Sequence, residues 1–311
     1  MAKSAQCQTE KHVAREPELS VLIPLVNSYS DIRNCLIRLR DQDVALEIVV
    51  VDRLGGEARA AVIRDFPEVT VVPATLDMTI PQMRAVGHSS VTAPFVAVIE
   101  DHVMVPPDWA QRMLEAIRED GGHDVVAGAF ENAATGRLVD WAAFLCEYSS
   151  ALPPLPSGPV DGVPGNNTIY RRETLEKYRD TLESNQWENH LHDQMKADGV
   201  ELIMRPDIIV RHKMHYTFWL YVTQRFHYSR AYAANRVRGQ GLPKRLSMGA
   251  TAFALPPILF KRTFDKVKAN GQYDNELKRS LPMIGAFVTA WAAGEIAGYW
   301  FGTGSSYERV R

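Results

Sequence analysis

The chain has 311 residues, of which 46% are hydrophobic and 23% charged, with a formal net charge of -2. That is the composition of a globular protein with a large core, and a charge so near zero excludes a global field that would gather nucleic acid. Cys7, Cys35 and Cys146 lie far apart with no C-x-x-C spacing, which argues against a zinc knuckle or a disulfide framework and points to a reducing compartment.

Residues 1–18 are polar and lack the apolar core of a signal peptide, so they read as a flexible arm on a cytoplasmic protein. Residues 19–24 predict a short strand, and Ser30-Asp31 cap a helix whose Ile32, Cys35, Leu36 and Leu39 share one face. A second strand over residues 46–52 ends in the carboxylate of Asp52, and Gly55-Gly56 turn the chain into a helix near residues 58–65. A third strand covers residues 69–72. The helix predicted over residues 79–91 carries Met83 and Val86 on one side, with Arg84 and His88 on another. Then comes Phe95-Val96-Ala97-Val98-Ile99, an unbroken apolar run that predicts a strand buried on both faces and closes on Glu100-Asp101-His102. In open α/β sheets ligands bind just outside the carboxyl ends of strands, so these three residues are candidate ligands for a divalent cation; the plainer reading is a capped turn. The β-α-β-α order predicts a parallel sheet with right-handed crossovers, in which the ends of the Asp52 and Glu100 strands neighbour each other.

A helix over residues 107–118 and a strand over residues 124–130 follow. The Pro-rich loop of residues 152–164 leads into Gly165-Asn166-Asn167, where glycine permits close backbone approach and the amides can hold hydroxyls; an Asx-capped turn is the alternative. Residues 186–199 predict a helix with Leu191 and Met195 inward and Gly199 as its stop. Glu188 stands at its N-terminus, where the helix dipole favours the ionised carboxylate. Residues 200–204 and 208–210 predict paired short strands leading to His212, and a long helix spans residues 216–238. From residue 239 the composition shifts. Residues 246–260 and 281–302 are apolar, separated by Lys261, Arg262, Lys266 and Lys268, and Glu295 interrupts the second run. The predicted organisation is an arm (1–18), an α/β catalytic domain (19–238) and a helical extension (239–311). Residues 246–302 are expected either at a membrane interface as a peripheral contact, or packed on the catalytic domain or on a partner subunit of a homo-oligomer.

Ile23-Pro24 after the first strand, Val50-Val51-Asp52 closing the second, Arg84 before the fourth and Glu100-Asp101-His102 closing it together resemble the inverting family-2 glycosyltransferases of GT-A fold, over roughly residues 19–235. The resemblance implies an α/β, Rossmann-like, mostly parallel sheet flanked by helices. It also implies a nucleotide-diphosphate sugar donor, a hydroxyl acceptor and a divalent metal, Mn²⁺ or Mg²⁺. Pro24, Asp52, Arg84, Glu100, Asp101, Asn166 and Asn167 would then bind the nucleotide sugar; Asp101, His102 and His212 would hold the metal. Counted back from Gly199, Glu188 falls where the family places its catalytic base, with His190 and Asp193 as alternatives. Two positions depart from the pattern: His102 replaces an acid, which tilts the metal toward Mn²⁺, and Asn189 stands where the family is acidic. Gln224-Arg225-Phe226-His227-Tyr228 is reminiscent of the Q-x-x-R-W helix of processive synthases, but its spacing fails, so transfer of one sugar is expected. A sugar-nucleotide pyrophosphorylase would need a glycine-rich loop where Pro24-Leu25-Val26-Asn27 stands. A non-catalytic sugar- or nucleotide-binding protein on the same fold would be expected to lack acids at Asp52, Glu100, Asp101 or Glu188. If the apolar runs meet lipid, the protein works at the inner face of the cytoplasmic membrane.

Overall fold

The computed structural model describes residues 16–310, so most of the expected arm, Cys7 included, lies outside the described residues. The apolar runs read from the sequence become strands, and β1 and β4 are buried along their whole length with no solvent side, whereas the edge strand β3 is part-exposed. These are β1 (Leu19–Leu25), β2 (Leu46–Asp52), β3 (Thr70–Pro73), β4 (Phe95–Ile99), β5 (Val103–Met104), β6 (Val125–Asn132), β7 (Gly158–Val160), β8 (Asn167–Arg171) and β9 (Leu202–His212). They form one mixed sheet in the order β3-β2-β1-β4-β8-β6-β9-β5, with β7 paired to β9. β3, β2, β1 and β4 are parallel, and β8 runs antiparallel between β4 and β6. β1 separates β2 from β4, so the Asp52 and Glu100 strand ends flank it rather than adjoin as expected. The chain winds outward from β1 to β3 before crossing back to β4.

The helices of the first half are α1 (Tyr29–Arg40), α2 (Gly56–Asp65), α3 (Ile80–His88), α4 (Trp109–Arg118) and α5 (Leu138–Tyr148). Then come α6 (Arg172–Lys177), α7 (Arg179–Glu183), α8 (Glu188–Ala197), α9 (Phe218–Arg236), α10 (Leu242–Thr251), α11 (Leu255–Asn270), α12 (Asp274–Phe301) and α13 (Ser306–Arg309). α3 is set by a capping box between Thr79 and Gln82 and closes at His88, short of the predicted residue 91. Residues 200–210 do not form two paired strands. They make one strand, β9, whose pairing with β6 slips between Gly128 and Ala129. Pro206 has no N–H to give the ladder, so the chain bulges there and re-enters register at Ile209. The bulge lets one strand carry His212 to the end of the sheet where Glu100 closes β4.

The C-terminal helices are built into the protein. Pro256 and Pro257 open α11, where a missing N–H costs no helical bond. Val267 of α11 and Leu277, Ile284, Phe287 and Val288 of α12 are buried in the same apolar cluster as β1, β4 and α5. α12 is long and apolar enough to cross a membrane, yet it lies against α9 and α5. Glu295, which interrupts its apolar run, is buried and accepts hydrogen bonds from Trp291 Nε1 and Tyr299 Oη at 2.6 and 3.0 Å. Gly294 and Gly298 face α9 so closely that a Cβ on either would run into the Phe226 or Arg230 carbonyl.

Candidate active site

β4 delivers Glu100 and His102 to the sheet edge, and β9 delivers His212. The Nε2 atoms of His102 and His212 lie 2.8 Å apart, and Glu100 Oε2 is 3.3 Å from the first and 3.6 Å from the second. These three donors lie within 4.8 Å of one another. His102 Nδ1 is held by Asp101 Oδ1 at 2.9 Å, which turns Nε2 toward the other two donors. Such an outer contact orients a metal-ligating imidazole, and a carboxylate with two imidazoles suits Mn²⁺ or a similar divalent ion. The donor set therefore fits the expected metal. Burial opposes charge on the imidazoles, but Asp101 and Glu100 outweigh it at His102 and raise its pKa to about 10. At His212 burial wins, reinforced by His102, and lowers the value to about 4. The two ring nitrogens face each other where a cation would satisfy both.

Asp101, expected as a ligand, lies outside this donor set. Its carboxylate is wholly buried and accepts from Val26 N, Asn27 N and Asn27 Nδ2 at 2.8, 2.9 and 2.7 Å, so it pins the end of β1 and orients His102. Asn167, expected against the donor, is also wholly buried. Its Oδ1 accepts from Trp109 Nε1, and its Nδ2 donates to Ala129 O and Ile208 O beside the β9 bulge. Both ends of that amide are used in holding the sheet. Asn166 reaches the site indirectly, donating to Tyr148 Oη at 2.6 Å, and Tyr148 Oη donates to Glu100 Oε2 at 3.3 Å. Asp52 is fully buried at the end of β2, where Leu54 N, Gly55 N and Arg59 Nε satisfy it. Pro24 lines the small pocket that holds the metal donors, together with Val26, Asn27 and Arg84.

That pocket opens into a cleft of about 730 Å³ through Arg84, Glu100, Glu147 and Tyr148, which line both. Glu188, the first residue of α8, lines the cleft and is bonded by Arg84 Nη1 at 2.6 Å. Burial works against the charge of Arg84, but Glu188 and Glu100 more than compensate and raise its pKa. Gly165 packs directly on Glu188, and a Cβ there would overlap its Cγ and Cδ. The glycine expected to allow close approach thus allows it to the candidate base. His190 and Asp193, the alternative bases, do not line this cleft. Sequence reasoning missed Glu147 and Tyr148, carried by the last turn of α5, and the aromatic wall of Trp187, Tyr228 and Trp291. Trp187 and Tyr228 lie 4.3 Å apart between centroids, tilted by 33°. The signal for Trp187 was its position next to Glu188, and Tyr228 stood in the Gln224–Tyr228 run whose spacing failed; nothing marked Glu147, Tyr148 and Trp291, which with Tyr228 come from three separate helices.

The S. aureus TarS structure (1-349) is similar in fold, with a TM-score of 0.50 and 16% identity over 90% of this chain and 90% of that one. A mannosyltransferase, PcManGT from Pyrobaculum calidifontis in complex with GDP-Man and Mn²⁺, gives a TM-score of 0.49 and 15% identity over 91% of this chain and 74% of that one. No curated protein sequence matches the chain. The mixed sheet with its helical flanks and C-terminal helices is the GT-A fold of glycosyltransferases. The family model described as Glycosyl transferase family 2 matches residues 20–179, and the chain belongs to that family: it is a glycosyltransferase.

Proposed function

We propose that the protein moves one sugar from a nucleotide-diphosphate sugar to a hydroxyl acceptor with inversion at the anomeric carbon. The observation that carries this reading is a single cleft in which Glu100, beside His102 and His212, and Glu188 both take part. Glu100, His102 and His212 would hold a divalent metal, which when bound supplies positive charge against the diphosphate leaving group. Arg84 adds a fixed cation between Glu100 and Glu188. Asp101 positions His102, and Asn166 positions Glu100 through Tyr148. Glu188 takes the proton of the attacking hydroxyl, and the aromatic wall offers flat faces against which sugar rings can lie. Asp52 would meet a nucleobase only by exchanging one of its present partners, so we assign it to the frame of the pocket.

The test is thermal shift and titration with UDP and GDP, with and without Mn²⁺. Binding is expected to require the metal and to be lost in His102→Ala and His212→Ala, while Asn166→Ala weakens it less. Equal nucleotide binding in EDTA would overturn the metal assignment, and an NMR-defined product of retained configuration would overturn inversion.

A finer part of the proposal is peripheral contact with the cytoplasmic face of a membrane. Leu242, Leu246, Phe253, Ile258 and Phe301 are all at least half exposed. They lie on α10, α11, the turn joining them and the end of α12, with Lys244 and Lys261 on the same helices. Exposed apolar side chains flanked by lysine suit an anionic interface.

A further inference from the structure

The wide part of the cleft holds three cations that the reaction proposed above leaves without a task. Arg225 of α9 and Arg262 and Lys266 of α11 all line it, and none of them lines the narrow pocket around the metal donors. Arg262 and Lys266 are one helical turn apart and so share a face. Among the described residues neither has a hydrogen bond or an ion pair with a carboxylate. Arg225 is held by rings, its guanidinium 4.2 Å from the Trp291 centroid and 5.8 Å from that of Tyr221. Its Nε is buried without an acceptor. No acid in the same cleft forms an ion pair with the group, although Glu147 lies near enough to Arg225 for the two charges to favour each other. Glu100 faces the two imidazoles, Glu188 is taken by Arg84, and Glu147 accepts from Tyr221 Oη at 3.3 Å rather than pairing with Arg225. Asp161 lines the cleft as well and takes Lys196 at its backbone carbonyl, but it has no ion pair with the three cations among the described residues.

Two cations held on one face repel each other. Burial, and then Arg262, push the Lys266 pKa down, as expected for ammonium and guanidinium groups awaiting an anion. Lys266 also lines a neighbouring hollow of about 330 Å³ with Ser149, Leu152 and Asn270, so a ligand anchored there has room to extend outward.

We propose that Arg225, Arg262 and Lys266 form an acceptor subsite for a phosphate-bearing hydroxyl compound, with its phosphate on the α11 cations and its hydroxyl directed toward Glu188. An Arg fork with a Lys point charge matches a phosphate, which offers several acceptor oxygens and up to two charges. The donor diphosphate has its own counter-charge in the metal donors and Arg84, and none of the three cations lines the narrow pocket around those donors. The assignment rests on the glycosyl-transfer reading and adds the chemical class of the acceptor.

The experiment uses the full chain and the double variant Arg262→Ala/Lys266→Ala. Both residues are exposed, with only the Lys266 ammonium partly covered in the cleft, so the melting temperature should be unchanged. In EDTA, binding is measured to glycerol 3-phosphate by titration and to phosphatidylglycerol vesicles by co-sedimentation, with phosphatidylcholine vesicles as reference. The intact protein is expected to bind at least one probe, and the double variant to bind it roughly tenfold more weakly or worse. Loss confined to glycerol 3-phosphate identifies a soluble acceptor, and loss confined to vesicles identifies a lipid headgroup. Equal binding by both proteins, or no binding by either, overturns the subsite. Mn²⁺-dependent binding of UDP or GDP should survive in the double variant; if it falls in parallel, the cations serve the donor and the acceptor assignment is wrong. If the intact protein shows no metal-dependent nucleotide binding, the glycosyl-transfer reading fails independently of the phosphate result.

Discussion

Glu188 carries the chemistry in our reading, and its surroundings make the test specific. Arg84 fixes one carboxylate oxygen and Gly165 closes off one side, so an amide of the same shape can occupy the place without disturbing the fold. In Glu188→Gln, metal-dependent nucleotide binding is expected to persist while turnover, followed as nucleoside diphosphate release in the presence of acceptor, falls by roughly 10²-fold or more. Near-normal turnover would move the role to Glu147, which lines both the cleft and the metal pocket. A second residue governs stability. His192 is buried with its Nε2 accepting from Tyr170 Oη at 2.8 Å, and burial lowers its pKa from 6.5 to about 4. The unfolded chain therefore takes up a proton that the folded one refuses as pH falls below 6.5, and stability drops until pH reaches about 4. That contribution is on the order of 3 kcal/mol. His192→Gln keeps an acceptor for Tyr170 but does not titrate, so urea unfolding between these pH values should show a correspondingly flatter pH dependence.

At the scale of elements, most of the core sheet was legible. β1, β2 and β4 announce themselves as continuous apolar runs, α1 by its apolar face and α8 by its glycine stop, because these signals are local in the chain; the cap of α1 is Ser28, whose Oγ accepts from Asp31 N, and not Ser30-Asp31, which lie inside the helix. β9 was not, since Pro206 interrupts the run and reads as a break, whereas pairing with β6 continues across it. The packing of α12 on α9 was equally hidden. Gly294 and Gly298 are four residues apart on α12 and bring the two backbones close, which in the sequence resembles a membrane-helix feature as much as a soluble one. Gly298→Ala would place a methyl group against the Arg230 carbonyl, which cannot rotate aside. We expect a loss of about 1–3 kcal/mol, with a melting temperature lower by several degrees and nucleotide binding intact once folded. An unchanged melting temperature would show that the helices can slide apart without cost.

For the molecule as a whole, residues 239–311 read as a separate extension, yet Val267, Leu277, Ile284, Phe287 and Val288 are buried in the main apolar core, where α12 packs on α9 and α5. Deleting them would expose that core, so membrane contact is better tested by surface changes. Leu246→Glu/Phe253→Glu is expected to abolish co-sedimentation with anionic vesicles at low salt while leaving the melting temperature within a few degrees of its original value, because both side chains already face solvent. Unaltered vesicle binding would assign the apolar face to contact between copies of the chain instead. The sequence by itself displayed the α/β order and the carboxylate-imidazole triplet at the end of β4, both of which depend on periodicity and nearest neighbours, while the candidate base at the start of α8 came from the family resemblance. Only the tertiary structure decided that His212 joins Glu100 and His102 while Asp101 and Asn167 are used up inside, and that α9 and α11 bring Arg225, Arg262 and Lys266 to the same cleft. Those outcomes depend on which strand ends and helix faces meet across long separations in the chain, and on whether a buried polar group finds its partners within the fold, which the order of residues does not display.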